Sequence, residues 1–393
     1  MSTTSTTTPD PRDFLALDSL LTDVERDVRD TVRNYAQQEL APHVTDWFER
    51  GTLPREIAKG LGRLGLLGMH LEGYGCAGLN AVSYGVACRE LEAVDSGLRS
   101  FVSVQGSLAM QAIHRWGSEE HRREWLPRMA SGEAIGCFGL TEPDAGSDPG
   151  SMRTHARRDG TDWVLNGTKM WITNGTLADV AVIWAQTDEG VRGFVVPTDT
   201  PGFTANEVKH KLSMRASATA ELVLDEVRLP QDAVFPEVRG LRGPLTCLNE
   251  ARFGIVWGVV GAARACYEAA LEYSTTRQQF GRPLAGFQLT QRKLADMLVE
   301  VNRAGLLALH LGRLKEAGQL HHNQVSLGKM ANVRAALEVA RTARTILAAN
   351  GITLEYPVLR HAANLETVLT YEGTEEIHAL SLGAAVTGVN AFR

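Results

Sequence analysis

The chain has 393 residues, 44% hydrophobic and 22% charged, which is ordinary globular material with length for two or three packed regions. Its net charge of -6 argues against a nucleic-acid-binding surface, which needs a basic excess. Cys76, Cys88, Cys137, Cys247 and Cys266 are odd in number, scattered and without CxxC spacing, so they read as reduced thiols, and no His/Cys cluster has metal-ligand spacing.

Residues 1–13, rich in Ser, Thr and Pro at their start, are expected to form a disordered tail. They lack both the basic-then-apolar order of a secretory signal and the arginines of a mitochondrial presequence. No apolar run reaches membrane-spanning length, and the expected location is cytoplasmic. Over 14–133 the spacing of Val24, Val28, Val32 and Tyr35, then Tyr84, Ala87 and Leu91, predicts helices. Over 134–235 the period shortens, with strands expected at 163–165, 170–173, 180–186, 194–196 and 221–229. Asn166-Gly167, Asn174-Gly175 and Glu189-Gly190 read as the turns between them. From 236 to 393 helices return, at 254–273, 289–317, 324–349 and from Thr374 onward.

Four short stretches carry chemistry. The loop from Phe138 through Leu140, Thr141, Gly146 and Ser147 to Asp148 has the glycines, hydroxyls and free amides to hold a flat heterocycle or phosphate oxygens, or it is a plain domain connection. Trp171, followed by Ile172 and Thr173, is either a cover for an aromatic cofactor or a buried core indole. Arg277, with Phe280 and Gln288 after it, is placed at a helix end for a pyrophosphate, or is a surface arginine. Glu372, between Tyr371 and Gly373-Thr374, is a candidate base aimed by the flexible glycine, or a helix-start acid. Glu92 and Arg99 are seven residues apart and share a face only if a helix runs through Gly97. There is no GxGxxG after a strand and no Walker loop.

In this order the motifs resemble the acyl-CoA dehydrogenase family: GLTEPDAGSD from Gly139, WITNG from Trp171, RQQFG from Arg277 and YEGT from Tyr371, along nearly the whole chain. Ser96-Gly97-Leu98-Arg99-Ser100, Ser103-Val104-Gln105 and Arg215-Ala216-Ser217-Ala218-Thr219 look most like its glutaryl-CoA branch. The resemblance implies an α+β, mainly α, fold: N-terminal helical domain, central β-barrel-like domain and C-terminal four-helix bundle. It also implies a homotetramer with one FAD per subunit and an electron-transferring flavoprotein as acceptor. Phe138, Leu140, Thr141, Gly146, Ser147, Trp171, Ile172, Thr173 and Thr374 would line the flavin. Arg277, Phe280 and Gln288 would serve a neighbouring subunit's cofactor. Ser147, Arg252 and Gly373 would meet the CoA thioester, and Arg99, Ser100, Ser103, Glu92 and Tyr371 the acyl tail. Glu372 would be the base for α,β-dehydrogenation of glutaryl-CoA, with decarboxylation to crotonyl-CoA. Another carboxylated or branched acyl-CoA, or glutaryl-CoA without decarboxylation, is the alternative. Leu98, Thr345 and Ala348-Ala349 depart from the family pattern, and alanine at the last two requires negative φ.

Overall fold

The computed structural model describes residues 8–392. Residues 1–7 of the expected tail lie outside the described residues, whereas Asp13 accepts from the Leu17 and Asp18 amides at 2.7 and 3.2 Å and closes the chain onto its first helical turn.

The first helical region comprises α1 (Asp23–Tyr35), α2 (Ala41–Arg50), α3 (Ile57–Arg63), α4 (Ala81–Val94), α5 (Ser96–Ser103), α6 (Gln111–Trp116) and α7 (Glu119–Ala130). Thr22 and Glu25 close a capping box at the start of α1. Helix α4 is buried along its whole length, so its polar residues must find partners inside the protein. Asp95 breaks α4 from α5 with extended backbone, and its Oδ1 accepts from the Gly97 amide at 2.7 Å. Arg360 and Asn364 donate to the other oxygen of Asp95.

The sheet region holds β1 (Gly136–Gly139), β2 (His155–Asp159), β3 (Asp162–Thr173), β4 (Val180–Thr187), β5 (Gly190–Pro197), β6 (Phe203–Glu207) and β7 (Thr219–Leu229). They form one curled half-barrel in the order β1-β4-β2-β3-β7-β6, with β5 paired antiparallel to β4. Asn166-Gly167, expected as a turn, lies inside β3, where the pairing with β7 shifts register between Leu165 and Gly167. This corrects the reading: Gly167 is there because a Cβ would fall 2.4 Å from Thr154 Oγ1, so close packing, not chain reversal, demands it. The Glu189-Gly190 and Asn174-Gly175 sites do follow the expected reversals.

The last region holds α8 (Arg242–Thr276), a short hairpin of β8 (Gln278–Gln279) and β9 (Arg282–Pro283), α9 (Gln288–Glu316), α10 (His322–Leu347), α11 (Val358–Thr370) and α12 (Glu375–Thr387). Ile255, Val259 and Cys266 of α8, Val333 and Leu337 of α10 and Leu365 of α11 share one core. Helix α10 ends on Ala348 at φ 50, so the expectation of negative φ there is overturned; the exposed turn carries the strained alanine. Among the described residues, no helix is long and apolar enough to cross a membrane.

Candidate active site

Glu372 sits in the four-residue connection, Tyr371 to Thr374, between α11 and α12. Its own φ is 57 and that of Gly373 is 94, so the bend expected of the glycine is shared by the glutamate. Left-handed backbone costs an L-residue about 1–2 kcal/mol, and something must hold it. The holders are cations from two neighbouring helices. Arg252 of α8 donates through Nε to the Glu372 carbonyl at 2.6 Å, and Lys329 of α10 donates to the Tyr371 and Gly373 carbonyls at 2.5 and 2.6 Å. Thr374 caps α12 by accepting from the Ile377 amide.

The Glu372 side chain is left without a matching donor: Oε2 is sealed from solvent and has no hydrogen-bond partner. Burial raises its pKa above the usual carboxylate range, against the opposing charges of Arg252, Lys329 and Arg99. A half-buried carboxylate with one sealed, unpaired oxygen and a raised pKa makes Glu372 a candidate base.

Arg99 and Glu92 meet although the helix between them is broken. Arg99 Nε donates to Glu92 Oε2 at 2.6 Å, with the two side chains 2% and 0% exposed. The break at Asp95 restarts α5 at an angle that returns Arg99 to Glu92. Gly258 of α8 makes room, since a Cβ there would lie 2.1 Å from Glu92 Oε2. Arg99 Nη2 also donates to the Tyr371 hydroxyl, which lies 3.2 Å from Ser100 Oγ. Tyr371 therefore joins the arginine directly to the residue before the base. Ser103, one turn on, is buried beside the Tyr84 hydroxyl.

The loop after β1 is held from below by a buried pair. Lys169 Nζ donates to Glu142 Oε1 at 2.7 Å and to the Leu140 carbonyl at 3.1 Å, while the Arg153 and Thr154 amides donate to the Glu142 carboxylate. The Met170 amide donates to the Thr141 carbonyl at 2.8 Å, fixing Thr141 beside β3. Phe138 and Leu140 point into the core, Gly146 and Ser147 lie on the exposed rim, and Thr141 is half-buried. Trp171 is 59% exposed at φ 64, so the core-indole alternative falls; Ile172 after it is buried and Thr173 half-buried. An indole pushed out of a bulged strand by its backbone, beside amides and hydroxyls of a pinned loop, fits the face and edge of a planar ring system.

Arg277 caps the far end of α8, about 37 Å along the helix from Arg252. Phe280, 93% exposed, tips the hairpin, and Gln288 opens α9 in solvent. The fold does not bring these three to Glu372 within one chain. Sequence reading missed Lys329 and the Lys169–Glu142 pair. A lone lysine on a helix or strand carries no local signal, and only its burial, 1% and 0% exposed, sets it apart.

Residues 22–133, 137–227 and 238–387 match, in turn, the N-terminal, middle and C-terminal domains of acyl-CoA dehydrogenase. The chain belongs to the acyl-CoA dehydrogenase family, and is an FAD-dependent enzyme of that class. The crystal structure of glutaryl-CoA dehydrogenase from Mycobacterium smegmatis is 65% identical with a TM-score of 0.97, covering 98% of this chain and 100% of that one. A second structure, of a glutaryl-CoA dehydrogenase from Mycobacterium smegmatis in complex with FADH2, is 63% identical with a TM-score of 0.97 over 98% of this chain and 100% of that one. Human mitochondrial short-chain specific acyl-CoA dehydrogenase is 36% identical over 357 residues, 89% of this chain and 87% of that protein.

Proposed function

We propose that the protein oxidises glutaryl-CoA to glutaconyl-CoA and decarboxylates it to crotonyl-CoA and CO2. The observation that carries this is the buried Arg99, tied through Tyr371 to the loop of the unpaired Glu372. A buried guanidinium beside a base suits an acyl chain that ends in a second carboxylate, which it can pair and position. The 65% identical neighbour supports the same reading.

Trp171, Ile172, Thr173, Thr141, Gly146, Ser147 and Thr374 would hold FAD, which when bound supplies the two-electron acceptor for the hydrogen at the β-carbon. Arg252 and Ser147 would meet the CoA portion. Glu372 takes the α-proton, and its backbone amide donates to the thioester oxygen as negative charge develops there. Arg99 places the distal carboxylate, with Ser100 and Ser103 lining the tail. Glu92 and Tyr371 share the arginine's charge, which keeps its grip on that carboxylate loose. The bond between the γ-carbon and the carboxylate then breaks, its electron pair moves into the conjugated thioester, and protonated Glu372 returns its proton to the γ-carbon.

Electrons would leave to an electron-transferring flavoprotein, and the working unit would be a cytoplasmic homotetramer in which Arg277, Phe280 and Gln288 complete a neighbouring cofactor site. The test is anaerobic addition of glutaryl-CoA to the purified yellow protein, followed by product mass. Loss of the flavin colour with crotonyl-CoA and CO2 is expected. Glutaconyl-CoA as sole product would remove the decarboxylation step, and a protein that stays yellow would remove glutaryl-CoA as substrate.

A further inference from the structure

The mechanism above uses Glu372 and leaves one buried cation beside it without a task. Lys329 is 1% exposed, and two of its ammonium protons go to the carbonyls of Tyr371 and Gly373, the residues on either side of the base. Arg252 takes the carbonyl between them. Three successive carbonyls are thus turned toward cations, which is the arrangement that locks positive φ at both Glu372 and Gly373. Had the ammonium bonded the carboxylate itself, Glu372 would be a quenched half of an ion pair. Its Oε2 is instead unpartnered.

We propose that Lys329 is the positioning residue of the base: it aims the Glu372 carboxylate by clamping the backbone on both sides of it. This deepens the assignment of Glu372 as base and rests on it. Several groups face the ammonium: Glu372 in the connection, Arg252 on α8, Arg99 on α5, and Glu375 on α12. His378 of α12 packs its ring against Gly373, with Nε2 unpartnered. Burial brings the lysine to about 7 while Glu372 opposes that shift, so its charge changes within the working range of an enzyme.

The experiment compares wild type, Lys329→Met and Glu372→Gln as FAD-loaded enzymes across pH. Flavin content, KM and kcat for glutaryl-CoA are measured, together with enolate absorbance of a bound 3-oxoacyl-CoA, which ionises without oxidation. Lys329→Met should keep its flavin and a KM within about threefold, lose about 100-fold in kcat, and need higher pH, by about half a unit or more, to ionise the 3-oxoacyl-CoA. Unchanged kcat and ionisation, or a loss that tracks lost flavin and raised KM, would overturn the clamp. If Lys329→Met does not fold, Lys329→Gln, with a single amide group to share between the carbonyls, is read by the same criteria. An active Glu372→Gln would instead sink the base assignment, whereas an inactive one beside a normal Lys329→Met sinks only the role of Lys329.

Discussion

The role proposed for Glu372 sets two requirements: a carboxylate basic enough to take a weakly acidic α-proton, and a backbone that points it. Burial supplies the first, and a left-handed residue pinned by cations the second. Glu372→Gln should keep fold and flavin while kcat falls by about 10²–10⁴-fold, read by the rate of flavin bleaching. Arg99 is harder to test singly, because its removal strands Glu92 as a buried, uncompensated charge costing about 3–5 kcal/mol. The paired change Glu92→Gln with Arg99→Met avoids this. It should lower kcat/KM for glutaryl-CoA by about 100-fold or more relative to butyryl-CoA, measured by competition of the two substrates.

At the scale of elements, the proposed acyl pocket depends on an interruption. Without the Asp95 break, Arg99 would follow α4 in a straight line. The break is fixed by Arg360 and Asn364 of α11, so the two helical regions set its angle together. Gly258→Ala should collapse this corner, since the added carbon meets the Glu92 carboxylate at 2.1 Å; the expected result is a fall in melting temperature with loss of glutaryl-CoA binding, by calorimetry and titration. The order of helices, strands and helices was legible from periodicity, as were β4, β5, β7 and the long helices of the last region. Strands β1, β2 and β6 were not, because four or five residues are too few to show alternation, and β1 is buried on both faces. Asn166-Gly167 misled because a glycine needed for close approach looks the same in sequence as one needed for a turn. In the candidate site, YEGT and WITNG stood out as motifs, whereas Lys329, Lys169 and Gly258 act through partners distant in the sequence and leave no local trace.

For the molecule as a whole, helix α8 sets the reach. With Arg252 beside Glu372 and Arg277 about 37 Å further along the helix, one chain cannot bring both to a single site, so a site completed by Arg277 would draw it from another copy. Co-refolding Glu372→Gln with Arg277→Ala should then restore activity at about a quarter of the sites, although each variant alone is weak or inactive. No recovery would place Arg277 outside the flavin site. Acid stability follows from buried histidine. His361, with both ring nitrogens unpartnered, is held down to about 3 by burial against 6.5 in the open chain. The unfolded chain binds the proton first, so stability present above pH 6.5 is lost as pH falls toward 3. Melting temperature should therefore drop on acidification through this window, and less steeply in His361→Gln.

Trp171 gives the molecule a built-in optical gauge. Trp125, Trp163, Trp184 and Trp257 are shielded at 5% exposure or less, while Trp171 is 59% exposed on the face assigned to the flavin. Stripped of cofactor, the protein should show a red-shifted emission component from this indole, and stepwise addition of FAD should extinguish it before the enclosed indoles respond. Trp171→Phe would remove that component, turning the occupancy of each site into a fluorescence titration that needs no substrate.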